Sequence, residues 1–229
     1  IVIEEELLNP LSQSIMSTSV ILSKLLGYTI VTASLFMKVP QILSIFNAKT
    51  GKGVSIQSFT IEIFLYAISF NYHYQNSFPI STYFDYFFLM IQDIIILFLI
   101  IYYARAFNTL SYAVAGAFIA FFGVLFMGLC PMYLLETMQA LTIPFFIIAK
   151  FPQIYSNFKN KSTGALSLTT TVGLAAGNTI RIFTTIKEMG GDFTMLFSYS
   201  VGALLNYIII AQILIYSGKK AQEKEVKQN

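Results

Sequence analysis

Lys38-Val39-Pro40-Gln41-Ile42-Leu43-Ser44 returns as Lys150-Phe151-Pro152-Gln153-Ile154-Tyr155-Ser156, with Lys, Pro, Gln, Ile and Ser unchanged and only apolar or aromatic residues exchanged between them. The offset is 112 residues. It holds without a gap from Lys49-Thr50 to Lys161-Ser162 and from Val54-Ser55-Ile56 to Leu166-Ser167-Leu168. Further on, Phe84-Asp85-Tyr86 lines up with Phe197-Ser198-Tyr199, and Asp93 with Asn206, now 113 apart, so the second copy has gained one residue. Lipid-facing composition alone does not place matched polar residues at one offset, and the chain reads as an internal duplication.

Around this repeat, 56% of the 229 residues are hydrophobic, 11% are charged, and the mean hydropathy is +0.69. Such a chain suits a bilayer better than water. Apolar runs near 22–46, 57–76, 82–103, 109–128, 132–157, 168–187 and 194–216 are each long enough to approach or cross a hydrocarbon core of roughly 30 Å. They lack the alternation of barrel strands, and unsatisfied backbone groups in lipid are costly, so helices are expected. The fold class is therefore an all-α membrane protein of seven transmembrane helices. Spans one to three match spans five to seven, and span four links them in a 3+1+3 plan. An odd linker keeps both copies in the same orientation, a parallel repeat. The expected division is an N-terminal segment 1–21, a first three-helix repeat 22–103, a linker helix 104–131, a second repeat 132–216 and a tail 217–229.

Charge gives the direction. Loops after spans one, three and five, with the tail, hold Lys49, Lys52, Arg105, Lys159, Lys161, Lys219, Lys220, Lys224 and Lys227, against Lys187 and Lys24 on the other side. Nine against two places the C-terminus in the cytosol and the N-terminus in the lumen or exterior. The chain opens with Glu4, Glu5 and Glu6 rather than a basic region, so no cleavable signal peptide is expected. A single cysteine, Cys130, excludes an internal disulfide, and the lone His73 offers no ligand cluster, so neither metal nor cofactor is expected. The mild net charge of +3 does not imply nucleic acid.

Each polar residue inside a span needs a reason. Asp93 and Asn206 lie about eleven and twelve residues into their spans, roughly 16 to 18 Å deep at 1.5 Å per residue. As equivalent positions in parallel copies they are the first candidates for a substrate path near the midplane, the alternative being a helix-packing hydrogen bond. Gln92 and Gln212 line the same path or bond a neighbouring helix. Pro40 and Pro152 remove the amides that would bond back to the carbonyls of Phe36 and Ile148, so both helices are expected to kink, with Gln41 and Gln153 placed to serve the freed carbonyls. These kinks are hinges or ordinary proline bends. Lys38 and Lys150, one to two turns inside the interface, either snorkel to phosphates or meet substrate. Glu62 enters from the same face and is placed to pair with Lys38. Arg181 is placed to grip a phosphate with its planar fork or to snorkel to headgroups. Gly173 and Gly177, like Ser198, Gly202 and Asn206, form small-residue faces suited to close helix approach. Tyr83, Tyr86, Tyr102 and Tyr103 fit an interfacial belt. Glu136, Glu188 and Asp192 are scattered rather than convergent, so no enzyme is expected.

Two Pro-Gln motifs in a seven-span plan resemble the PQ-loop proteins, which include the SWEET sugar carriers and the lysosomal cystine exporter. Leu22-Ser23-Lys24 with Lys38-Val39-Pro40-Gln41, Val54-Ser55-Ile56-Gln57-Ser58, Asn76-Ser77-Phe78-Pro79, Phe88-Leu89-Met90-Ile91-Gln92 and Arg181-Ile182-Phe183-Thr184 is similar to the mannose-phosphate-dolichol utilization defect 1 family, over about residues 22 to 216. That resemblance implies an endoplasmic reticulum membrane protein needed to use dolichyl-phosphate-mannose and dolichyl-phosphate-glucose in lumenal glycosylation, for N-glycan precursors and glycosylphosphatidylinositol anchors. It implies dolichyl-phosphate sugars and lumenal glycosyltransferases as partners within the lipid bilayer. A small-solute carrier for a sugar or amino acid, with Asp93 titrating if transport is proton-coupled, is the alternative.

Overall fold

The computed structural model describes the backbone of residues 2–51, 54–163 and 167–228, and the side chains of 17–51, 54–145, 147–148, 150–163 and 167–216. Lys52 and Leu166, together with the side chains of Glu4, Glu5, Glu6, Lys219, Lys220, Lys224 and Lys227, lie outside the described residues.

The described backbone is helical, with no strand. It runs α1 (Val2–Ser34), α2 (Val39–Ala48), α3 (Ile56–Gln75), a 3₁₀ turn (Ile80–Thr82), α4 (Phe84–Ala104), α5 (Thr109–Phe126), α6 (Met132–Asn160), α7 (Leu168–Glu188) and α8 (Phe193–Gln228). The first predicted span is thus two helices, α1 and α2, parted by a turn at 35–38, whereas its counterpart α6 runs through Pro144 and Pro152 without interruption.

Five stretches are long and apolar enough to cross a membrane: Ser17–Ala48, Phe84–Ala104, Thr109–Phe126, Met132–Asn160 and Phe193–Tyr216. The second helix of each copy, α3 and α7, is less apolar than these five. These carry polar side chains turned inward: Asn71 and His73 on α3, and Thr171, Arg181, Thr184 and Thr185 on α7, are all buried. A polar residue packed among helices lowers the mean hydropathy of a span without facing lipid. The chain is a seven-helix membrane fold in which these two members turn polar side chains inward.

Local geometry repeats with the sequence. Ser55 caps α3 by accepting from the amide of Ser58, and its equivalent Ser167 accepts from the amide of Thr170 at the start of α7. Lys49 and Lys161, also 112 apart, both leave their helices in the left-handed conformation, at φ 50° and 49°. The gained residue can be located: α3 has 20 residues and α7 has 21, and beyond them Ser77 and Gly190, now 113 apart, again share a positive φ. The insertion therefore sits at the C-terminal end of α7.

The chain forms two compact units, Ile1–Gln139 with Lys187–Met189, and Ala140–Ile186 with Gly190–Asn229. In the first, Ile45, Phe59, Ile96 and Ile100 join α2, α3 and α4, while Ile63, Ala67 and Met90 pack against Phe118, Phe121 and Phe122 of the linker helix α5. Lipid tails are as apolar as these side chains, so close van der Waals fit rather than water exclusion holds the helices together. Two glycines show how tight that fit is: a Cβ at Gly51 would lie 2.8 Å from Ile100, and one at Gly27 would lie 2.7 Å from the carbonyl oxygen of Ser81. Near the same end, Glu188 accepts hydrogen bonds from the hydroxyls of Ser23 and Ser81, both 2.5 Å, and ties α1 to the 3₁₀ turn.

Other small-residue faces divide. Gly202 sits against the amide of Asn178, with its hypothetical Cβ 3.0 Å away, but nothing lies within 4 Å of one at Gly173 or Gly177. The close-approach reading of Gly173 and Gly177 is therefore corrected. Tyr83 is likewise not a belt residue: it is 5% exposed and stacks on His73 with centroids 5.5 Å apart, while Tyr102, 56% exposed, keeps the position expected of a belt.

Candidate functional site in the first repeat

The break between α1 and α2 positions the charged cluster. Pro40 follows the N-cap Lys38 and Val39 in the first turn of α2, where its missing amide costs no helical bond. Four residues, 35–38, form the turn, and the carbonyl of Phe36 accepts from the amide of Val39 at 3.3 Å, so it is not left free. The side chain that serves the break is Gln92 of α4 rather than Gln41. Its Nε2 donates to the carbonyl of Ser34 at 2.8 Å and its Oε1 accepts from the amide of Lys38 at 2.9 Å. One buried amide thus serves the last carbonyl of α1 and the amide of Lys38, the residue that caps α2.

That anchored turn directs Lys38 inward. Its ammonium donates to Glu62 Oε2 and Asp93 Oδ1, each at 2.5 Å, and lies 5.1 Å and 5.4 Å from the ring centroids of Phe59 and Tyr66. Asp93 is fully buried, with its Oδ2 unpartnered, whereas the Glu62 side chain keeps 40% of its exposure. The snorkelling alternative for Lys38 gives way to a buried ion pair with a second, more accessible acid beside it. Two carboxylates on one ammonium leave the group one negative charge in excess when all three are ionised. Such a cluster can take up a proton or a cationic group, and it fixes α2, α3 and α4 to one another.

The second repeat keeps the lysine and changes its surroundings. At the equivalent positions Lys150 stands for Lys38, Leu174 for Glu62 and Asn206 for Asp93. Lys150 is half-buried and makes no ion pair or hydrogen bond among the described residues. Asn206 is 4% exposed, donates to the carbonyl of Gly202 at 2.9 Å, and leaves its Oδ1 buried without a partner. Asp93 and Asn206, the pair first considered for a substrate path, are each held by neighbours of their own copy. Gln212 bonds the first helix of its copy: it donates to the carbonyl of Ile154 and accepts from Asn157 Nδ2, both at 2.9 Å. Gln153 makes neither contact, and Pro40 and Pro152 are both exposed. Arg181 is 4% exposed, which corrects the reading that it reaches the headgroups.

Phe59, Tyr66, Ser34 and Asn157 were not singled out in the sequence. Phe59, Glu62 and Tyr66 follow helical spacing, which would have placed both rings on the face of the acid. Asn157 replaces Ile45 of the first copy, a polar residue at a core position. Ser34 acts through its backbone carbonyl and leaves no such signal.

Comparison with known proteins agrees with this geometry. The PQ loop repeat family model matches residues 22–82 and 134–189, the start of each copy and together just over half the chain. The chain is also similar to human solute carrier family 66 member 3, 24% identical over 184 residues that cover 79% of this chain and 87% of that protein. A duplicated Pro-Gln motif, two like-built helical copies and a family match over both place the chain in the PQ-loop repeat family.

Proposed function

We propose that this protein is a multi-pass factor of the endoplasmic reticulum membrane, N-terminus lumenal and C-terminus cytosolic, that binds dolichyl-phosphate-linked mannose and glucose. It makes them usable by lumenal glycosyltransferases, by presenting the lipid-linked sugar or by moving it, and performs no bond chemistry itself. The observation that carries this reading is the set of motifs from Leu22-Ser23-Lys24 to Arg181-Ile182-Phe183-Thr184, which spans both copies. Parallel-repeat carriers bind substrate near the midplane between helices, and a membrane-soluble ligand suits a chain with short loops on both faces. In cells depleted of the mannose-phosphate-dolichol utilization factor, expressing this chain should restore full-length lipid-linked oligosaccharide. Persistent stalling before lumenal mannose addition, with the chain present in the membrane, would reject the reading.

A second reading, a small-solute carrier for a sugar or amino acid, is favoured by the similarity to a human solute carrier and by the buried Asp93 beside Lys38. Proteoliposomes should then take up solute at a rate that responds to a proton gradient, and Asp93→Asn should abolish that response. Absence of flux across a panel of sugars and amino acids would remove it.

A further inference from the structure

We infer that the second repeat carries a binding site for a single-chain lipid phosphate, with the phosphate on Lys150 and the chain in the apolar cleft that runs back along α6. The inference rests on the reading of the protein as a lipid-phosphate factor and names where the anion is held.

The two copies surround the same lysine differently. In the first copy the lysine of the Lys-x-Pro-Gln motif has two carboxylates and two aromatic faces, and needs nothing more. In the second, both acids are gone, replaced by Leu174 and Asn206, and the rings of Phe59 and Tyr66 are replaced by Thr171 and Asn178. The cation remains without a counter-charge among the described residues. A half-buried ammonium favours an anion that arrives from outside, and the unpartnered Oδ1 of Asn206, which stands where Asp93 meets Lys38 in the first copy, is an acceptor for a hydroxyl. The helix register supports this juxtaposition. Within this unit α6 and α8 meet where Gln212 bonds the carbonyl of Ile154, and Lys150 lies one turn before that contact on α6. Asn206 lies less than two turns before it on α8.

The apolar part of the ligand follows from the same helix. Ala140, Ile143, Ile147 and Lys150 recur at spacings of three, four and three, which puts them on one face of α6. The first three line a cleft closed on its other side by Phe193, Thr194 and Phe197 of α8. From Ala140 to Lys150 the face spans roughly 15 Å at 1.5 Å per residue. A cation one turn beyond an apolar groove, on the same helix face, fits an amphiphile whose head is an anion and whose tail is hydrocarbon, and a free phosphate would leave the groove without an occupant.

The test uses the full chain in phosphatidylcholine nanodiscs, titrated with farnesyl phosphate, farnesol and inorganic phosphate. Farnesyl phosphate should bind at least about ten-fold tighter than farnesol, and equimolar inorganic phosphate should not displace it. Lys150→Gln should reduce the preference to within about two-fold, Lys150→Arg should keep it, and Lys24→Gln should leave it unchanged. Leu174→Glu, which returns the carboxylate of the first copy, should suppress phosphate binding without removing the cation. It therefore reads the site even if Lys150→Gln fails to fold. An undiminished preference in Lys150→Gln or Leu174→Glu overturns the site. Displacement by inorganic phosphate at equal concentration overturns the lipid class. If binding behaves as stated but the chain fails to restore lipid-linked oligosaccharide, the glycosylation reading falls and the site stands. Restoration without Lys150-dependent binding gives the reverse.

Discussion

Lys38 holds two carboxylates with one ammonium, and the cost of disturbing it depends on which partner is left behind. Asp93 has no exposure, so Lys38→Met strands a buried carboxylate and should destabilise the protein by about 3 to 5 kcal/mol. Glu62 keeps contact with the outside, so Glu62→Gln should cost no more than about 1 kcal/mol. Thermal unfolding in detergent, with the Lys38→Met/Asp93→Leu pair closing the cycle, checks both: the double variant should recover most of the loss, and an additive result would deny the coupling. Gln92→Leu removes two buried backbone bonds and should cost about 1 to 3 kcal/mol by the same measurement. Lys38, Glu62 and Asp93 were each visible in the sequence as charges inside apolar runs. Their convergence was only partly so: pairing of Lys38 with Glu62 follows from their shared face, but the contact with Asp93 depends on a chain break that no spacing encodes. The role of Gln92 was hidden for the same reason, because the groups it satisfies belong to backbone 54 to 58 residues away.

At the scale of the helix, the two Pro-Gln motifs show that one short sequence permits two outcomes. In α2 the proline occupies the first turn, where a missing amide is harmless; in α6 it lies inside a continuous helix, where it removes a bond. Pro152→Ala should therefore raise the unfolding temperature, while Pro40→Ala should change it little because Gln92 still ties both sides of the break. Equal gains from the two substitutions would mean that the break has no support of its own. The glycines separate in a similar way. Gly27→Ala drives a Cβ into backbone at 2.7 Å and should be strongly destabilising, whereas Gly173→Ala meets open space and should stabilise α7 by up to about 1 kcal/mol. Apolar length and cap residues make these helices legible, and the predicted spans fall close to the observed ones. The turn at 35–38 was not legible, since a Lys-x-Pro-Gln motif reads the same whether its helix breaks or bends. Nor was the burial of the polar side chains on α3 and α7, which depends on neighbours that a hydropathy window does not contain.

Across the whole molecule, the duplication orders everything else, and it was the most legible feature because it is written in polar residues that lipid does not select. What duplication does not fix is how far the copies have since diverged. The first keeps Lys38, Glu62 and Asp93 as an internal charge cluster, and the second keeps only Lys150 with Leu174 and Asn206. A protein with one cation paired to two carboxylates and, at the equivalent place, one without a counter-charge among the described residues has made its halves chemically unlike while their helix caps and end turns remain alike. Gene duplication across an odd linker requires that the left-handed helix ends at Lys49 and Lys161 emerge on the same side of the membrane. With Cys130 replaced by Ser, single cysteines at those two positions should react with a membrane-impermeant maleimide from the same face, and both should be protected when the reagent is confined to the other. Labelling from opposite faces would make the copies inverted. The equivalence of Lys38 with Lys150, on which the contrast between a filled and an open charge site depends, would then describe two different depths and two different sides.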